Sequence, residues 1–261
     1  MNAYRVATRY SLLVLARNRL AMVVLVGFIP LLVSLAHFVV TRNVVAFRYR
    51  ATGALLHGTG EKFTMITCAL SAVTLLVGFA MFTAAQRSSD FDQRLVAAGY
   101  PRTELLLAKL TTLIVSAAVV GAYATAWLWW YWPMEQPLLM AVGVFLAALL
   151  YGAIGLFLAL FLPGELEGMF TIIMTSLIDL ALQNPIANPA ADAALITFLP
   201  AYGAMQTCLG AGFTDIIPLR HVAISVAWAT ACAVVALATF ALRTRIHATS
   251  PRPLPAGDSV S

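Results

Sequence analysis

Apolar residues lie in long blocks, not in alternation with polar ones. Six blocks stand out, at Leu20–Val40, Phe63–Ala85, Leu105–Trp132, Leu138–Leu162, Met169–Gln183 and Val222–Leu242. A hydrocarbon core about 30 Å thick is crossed by about 20 helical residues, with a range of about 17–25. The blocks therefore predict an all-α polytopic membrane protein with six transmembrane helices over 20–242. The fifth block is short, and the stretch after it, Asn184–Arg220, is neither a clean span nor a polar loop. It carries Pro185, Pro189, Pro200 and Pro218 around the apolar pieces Ala193–Leu199 and Ala201–Phe213. Proline ends helices, and backbone that does not span must be shielded from lipid by protein. Two short re-entrant or interfacial helices are expected over 193–213.

Composition narrows the class. Of 261 residues, 61% are hydrophobic and 10% charged, against about 45–50% and about 25% in soluble domains. A soluble enzyme, a disordered chain and a secreted disulfide scaffold are excluded on that ground. The three cysteines, Cys68, Cys208 and Cys232, have no paired spacing and read as small buried hydrophobes.

The net charge of +5 does not point to nucleic acid, because the basic residues sit at the ends of the apolar blocks, where they set orientation. One side collects Arg5, Arg9, Arg17, Arg19, Arg87, Arg94, Arg102, Lys109, Arg243, Arg245 and Arg252. The other holds Arg42, Arg48, Arg50, Lys62 and Arg220. This bias places both termini in the cytoplasm. Trp127, Trp129, Trp130, Tyr131 and Trp132 close the third block as an interfacial aromatic belt.

On a helix from Asn2 to Leu20, Arg5, Arg9, Arg17 and Arg19 share one arc of about 160°. That is the pattern of a basic amphipathic helix over 1–19 lying on the cytoplasmic face, or of a positive-inside flank with no defined pose. No small-residue cleavage site follows, so Leu20–Val40 reads as a retained helix. The tail 243–261, with Pro251, Pro253 and Pro255, is expected to be disordered.

No reaction centre emerges. The chain has no Gly-x-x-x-x-Gly-Lys-Ser/Thr loop to cradle nucleotide phosphates, and no His/Glu pair at metal-ligand spacing in a span. His37, His57, His221 and His247 lie in separate segments near span ends. Asp179 is the one carboxylate inside a span, where it costs about 2.5–3.5 kcal/mol on insertion scales. Two roles fit it: substrate contact or gating, or a structural contact with the re-entrant segment.

The first cytoplasmic connection, Gln86–Lys109, holds charges of both signs. It has an apolar period at Phe91, Leu95 and Ala98, broken at Gly99-Tyr100-Pro101. That stripe predicts a short surface helix docking Phe91 and Leu95 onto a cytosolic partner or back onto the bundle. Beyond the break, Thr103 is positioned to cap the third span. The second connection, Pro163–Gly168, carries Glu165 and Glu167 and no basic residue. Its carboxylates suit the N-terminus of the fifth helix, or contact with a partner.

These residues carry a family resemblance. A basic N-terminal helix and two spans precede Arg87 and the run Arg94-Leu95-Val96-Ala97-Ala98-Gly99-Tyr100-Pro101-Arg102. Glu104-Leu105-Leu106-Leu107-Ala108-Lys109 then opens the third span. The order resembles the permease subunit of ABC-2 type ABC transporters, and the likeness extends through Leu199-Pro200-Ala201-Tyr202-Gly203 and the last span. Asp90 stands where the family usually has Gly, and Gly99 and Pro101 are spaced a little differently.

The resemblance implies an N-terminal elbow helix, a coupling helix over 87–98, and re-entrant helices before the sixth span. It implies no cofactor in this chain, with ATP and Mg on separate nucleotide-binding ATPase subunits, and a second permease, identical or paralogous. The coupling set would be Phe91 and Leu95 as buried contacts, Arg87, Asp92 and Arg94 as a polar rim, and Glu165 and Glu167 opposite. Asp179, Pro200 and Tyr202 would serve substrate contact or gating.

The implied activity is ATP-driven export of a hydrophobic or amphipathic substrate, such as a drug, an antibiotic or a lipid-like molecule, across a bacterial-type cytoplasmic membrane. The rival classes are a secondary transporter, and a membrane-bound immunity or assembly factor without an ATPase.

Overall fold

The computed structural model describes residues 3–17, 19–186, 188, 191 and 193–246. Helices α1 (Ala3–Arg17) and α2 (Arg19–Val39) are followed by a hairpin of β1 (Val44–Arg48) and β2 (Leu55–Thr59). Then come α3 (Gly60–Ala97), α4 (Arg102–Tyr131), α5 (Pro137–Leu158) and α6 (Glu165–Leu182). A 3₁₀ turn at Ala194–Phe198 leads to α7 (Tyr202–Phe213) and α8 (Leu219–Ile246).

Five of these helices are long and apolar enough to cross a membrane: Met22–Val39 within α2, Gly60–Ser89 within α3, Arg102–Tyr131, Pro137–Leu158, and Leu219–Thr239 within α8. The chain is an all-α protein of multi-pass membrane character. The fifth predicted span, α6, is 18 residues long, carries Glu165, Glu167 and Asp179, and is not among the five.

At the centre of the bundle, α5 packs against α3, α4, α7 and α8. Small residues let these helices close in, which is how apolar helices associate where lipid removes the hydrophobic drive. A Cβ built on Gly155 would meet the Gly78 carbonyl oxygen of α3 at 2.2 Å, and one on Gly203 of α7 would meet the His221 carbonyl oxygen of α8 at 2.5 Å. Side chains that would hold the backbones apart are absent at both crossings.

Two short helical pieces occupy 193–213, the 3₁₀ turn and α7. At 12 residues α7 is about 18 Å long, too short to cross the core. Residues 201–212 are all buried, so the rest of the protein covers this backbone.

Three boundaries differ from the sequence expectations. The segment 87–98 is not a separate surface helix: α3 continues unbroken from Gly60 to Ala97, because no Gly or Pro lies between Gly78 and Gly99. Residues 41–59, between the first two apolar blocks and predicted as no element, form an antiparallel hairpin that pairs Val44 with Thr59 and Arg48 with Leu55. Phe47 of that hairpin is buried against Phe63 and Phe213, with ring centroids 5.5 and 5.3 Å away. Residues 243–246 belong to α8 instead of the tail, and 247–261 lie outside the described residues.

Candidate functional site

Two clusters gather the residues singled out in the sequence. The first lies at the pole where α3 ends and α4 and α6 begin. Helix α3 stops in a Schellman arrangement: Tyr100 N–H donates to the Leu95 carbonyl at 3.0 Å, and Gly99 N–H to that of Val96 at 3.1 Å. Gly99 takes φ +89°, a left-handed conformation that favours glycine. Pro101 is the N-cap of α4, and no side chain caps the helix. Thr103 therefore does not cap this span: it falls one residue inside the helix.

Across this turn Lys109 Nζ of α4 meets Asp92 Oδ2 of α3 at 2.6 Å and donates to Ser88 Oγ at 2.9 Å. Ser88 Oγ in turn donates to Asp92 Oδ2 at 3.0 Å. Asp92 is 5% exposed, so its expected place in a solvent-facing polar rim is corrected. Charge neutralisation by Lys109 lets the carboxylate sit inside, where an unpaired one would be too costly.

Phe91 is half exposed and tilts against Tyr10 of α1 at 5.5 Å. Leu95 lines the crevice between α1, α3 and α4. Part of the apolar stripe thus packs back onto the bundle, while Phe91 keeps an exposed face. Helix α1 is fastened there too, by Tyr4 Oη and Thr111 Oγ1 at 2.7 Å, while Arg5, Arg9 and Arg17 stay exposed.

The exposed remainder of this pole is the other half of the predicted set. Arg87 Nε donates to Glu165 Oε1 at 3.2 Å, joining α3 to α6. Arg94, Leu166 and Glu167 are exposed nearby in sequence. Glu165 and Glu167 occupy the first turn of α6, where they favour the positive end of the helix dipole. Beneath Arg87 a cleft of about 530 Å³ opens between the end of α3 and the α5–α6 connection.

The second cluster surrounds Asp179. This carboxylate is 2% exposed. Its Oδ2 accepts from Tyr151 Oη of α5 at 2.8 Å and from the backbone N–H of Ala201 at 2.9 Å, while Oδ1 accepts from Gln183 Nε2 at 2.6 Å. Ala201 is the N-cap of α7, so Asp179 ties α5, α6 and α7 to one point. Pro200 lies one residue before that N–H. Tyr202, one residue after it, is buried against His221 at 5.7 Å. The structure therefore sets Asp179 against the backbone between Pro200 and Tyr202 through the Ala201 N–H.

Three residues of these clusters carry little sequence signal. Tyr151 sits in an apolar run as one aromatic among many, and only its buried hydroxyl, which needs a partner, hints at its role. Ser88 and Gln183 are polar residues near helix ends, where solvent would have satisfied them.

No protein-family model matches the chain, and no curated protein matches it.

Proposed function

We propose that the chain is the permease subunit of an ABC-2 type exporter. It pairs with a second permease and with separate nucleotide-binding ATPase subunits that carry ATP and Mg. The pair moves a hydrophobic or amphipathic substrate out across a bacterial-type cytoplasmic membrane, with both termini in the cytoplasm. The chain itself is a transport subunit and not an enzyme.

The observation that carries this reading is the continuity of α3. Its apolar length ends near Ser89, and two charged turns project beyond it as part of the same rigid rod. The buried Lys109–Asp92 pair locks this projection to α4, and Arg87–Glu165 links it to α6. A force applied at residues 87–97 would be carried into the spans instead of being absorbed by a loop. An ATPase groove receiving this projection would then rock α3, α4 and α6 together.

Six crossings, and hence both termini on one side, are supported by the path of α6. It packs antiparallel on α3 with Glu165 at Arg87, Gly168 against Phe82, Ile172 against Gly78 and Ser176 Oγ to Thr74 Oγ1 at 2.7 Å, and the chain beyond its end sets Ile186 against Gly60. The poles also divide the basic residues, with Arg42, Arg48, Arg50 and Lys62 around the hairpin end and Arg87, Arg94, Arg102 and Lys109 at the other. A rival secondary transporter would rely on Asp179 for ion coupling, and the three hydrogen bonds this carboxylate accepts within the protein favour a structural role instead.

The test is purification of the tagged full chain from its native membrane, followed by assay of ATP hydrolysis in the complex. An ATP-hydrolysing subunit bound stoichiometrically is expected, and Arg94→Glu should release it. A chain that purifies with no ATPase, and moves substrate without ATP, overturns the assignment.

A further inference from the structure

Helix α1 is fastened to the bundle along one side. Ala7, Ser11 and Val14 line the crevice it shares with α3 and α4. Tyr4 Oη meets Thr111 Oγ1, and Tyr10 leans on Phe91. The flank turned away from that crevice bears an open groove of about 450 Å³. Its N-terminal part presents Arg5, Thr8 and Arg9, and its C-terminal part Leu12, Leu13 and Ala16. Both arginines are exposed, and Leu13 is half exposed.

Two features separate this groove from an ordinary solvated helix face. The first is its uncompensated charge. Arg5 and Arg9 stand one helical turn apart and form no ion pair among the described residues. No carboxylate precedes Glu61 in the sequence, and Asp92, the carboxylate of the adjoining crevice, is taken by Lys109. The second is the apolar stretch that follows the arginines. It lies on the side of α1 nearer in sequence to α2, which begins at Arg19 and becomes a candidate span from Met22. A helix with such a mixed face, tied this closely to a span, lies at the membrane surface.

We propose that this groove binds an anionic phospholipid from the leaflet bordering this pole. The phosphate sits between the Arg5 and Arg9 guanidinium groups, which present paired donors to phosphate oxygens. The upper part of an acyl chain lies over Leu12, Leu13 and Ala16. A zwitterionic headgroup would bring its own ammonium up to the two arginines, so a lipid such as phosphatidylglycerol is preferred to phosphatidylcholine. The assignment rests on the multi-pass membrane character of the chain and does not depend on the ATPase reading.

The full chain is reconstituted in equimolar phosphatidylglycerol–phosphatidylcholine nanodiscs, and native mass spectrometry counts the lipids it retains. Phosphatidylglycerol is expected to exceed phosphatidylcholine by about fivefold or more. Arg5→Gln/Arg9→Gln should bring the two lipids to parity, with the circular dichroism of the parent chain because both side chains are exposed. Leu13→Glu should do the same by setting a carboxylate beside the phosphate. Arg17→Gln is the control: this arginine is exposed but lies outside the groove, and its removal should keep most of the enrichment. On the unaltered chain in phosphatidylcholine micelles, added phosphatidylglycerol should raise the unfolding temperature and added phosphatidylcholine should not. Equal retention of the two lipids by the wild-type chain, or undiminished enrichment in Arg5→Gln/Arg9→Gln, overturns the site. So does a loss in Arg17→Gln as large as in the double variant, which would reveal diffuse attraction to the surface. Release of a co-purifying ATPase by Arg5→Gln/Arg9→Gln, with lipid retention unchanged, assigns the face to an acidic protein surface and overturns the lipid.

Discussion

Replacing Asp179 by asparagine and by alanine separates a structural carboxylate from a transporting one. Tyr151 Oη and Ala201 N–H converge on Oδ2, while Gln183 Nε2 alone addresses Oδ1. Asparagine with its oxygen in the Oδ2 position keeps the first two bonds, and Gln183 recovers the third by turning its amide. Asp179→Asn is therefore expected to cost about 1 kcal/mol or less, the scale of one net hydrogen bond. Asp179→Ala strands the donors. Tyr151 Oη retains the Thr175 carbonyl at 3.3 Å, and the Gln183 amide lines a cavity that can admit water. The Ala201 N–H, buried at the start of α7, is left with nothing, and a stranded donor costs about 1–3 kcal/mol. With partial losses at the other two, the expected total is about 2–4 kcal/mol. The assay is unfolding in mixed micelles followed by circular dichroism, run beside substrate export in cells. Wild-type export by Asp179→Asn is expected. Loss of export in an Asp179→Asn chain of unchanged stability would refute the reasoning, since it would show that the charge itself is used.

The remaining predictions concern the pole of α3 and the bundle centre. Lys109→Met leaves Asp92 buried without its cation and should destabilise by about 3 kcal/mol, near the low end for a broken buried pair because Ser88 still donates to it. The double variant Asp92→Leu/Lys109→Met should recover most of that in the same unfolding assay, and a double variant as unstable as the single removes the pair as the cause. Gly155→Ala would press a methyl into the Gly78 carbonyl oxygen at 2.2 Å. Neither backbone can retreat without parting α3 from α5, so a cost above about 3 kcal/mol, or failure to insert stably, is expected from the same micelle unfolding. Arg87→Glu breaks a pair whose side chains are 56% and 51% exposed, so its effect on unfolding should stay below about 1 kcal/mol. ATP hydrolysis in the purified complex should nevertheless fall severalfold, and Arg87→Glu/Glu165→Arg should not restore it if the arginine meets the ATPase.

The chain's own pattern determined the class and most of the elements. Blocks of about 20 apolar residues can only be helices in lipid, since no water is present to satisfy other backbone arrangements. The prolines flanking Ala193–Leu199 and Ala201–Phe213 marked the short helices for the same reason. What periodicity could not decide was which polar residues are inside. Asp92 and Arg94 are two residues apart on one helix, and the sequence places both on a charged surface. The fold buries Asp92 because Lys109, brought back by the Gly99 turn, neutralises it, while Arg94 faces out. The hairpin at 44–59 escaped notice because its five-residue strands lack a strong alternation, and its stability comes from Phe47 docking on Phe63 and Phe213. The hydrogen-bond partners of Asp179 are likewise not legible in the sequence. Tyr151, Gln183 and Ala201 are separated from it by between 4 and 28 positions, and only packing brings such groups to one carboxylate. Membrane solvent dictates helices locally, residue by residue, whereas burial of a polar group depends on partners that arrive from elsewhere in the chain.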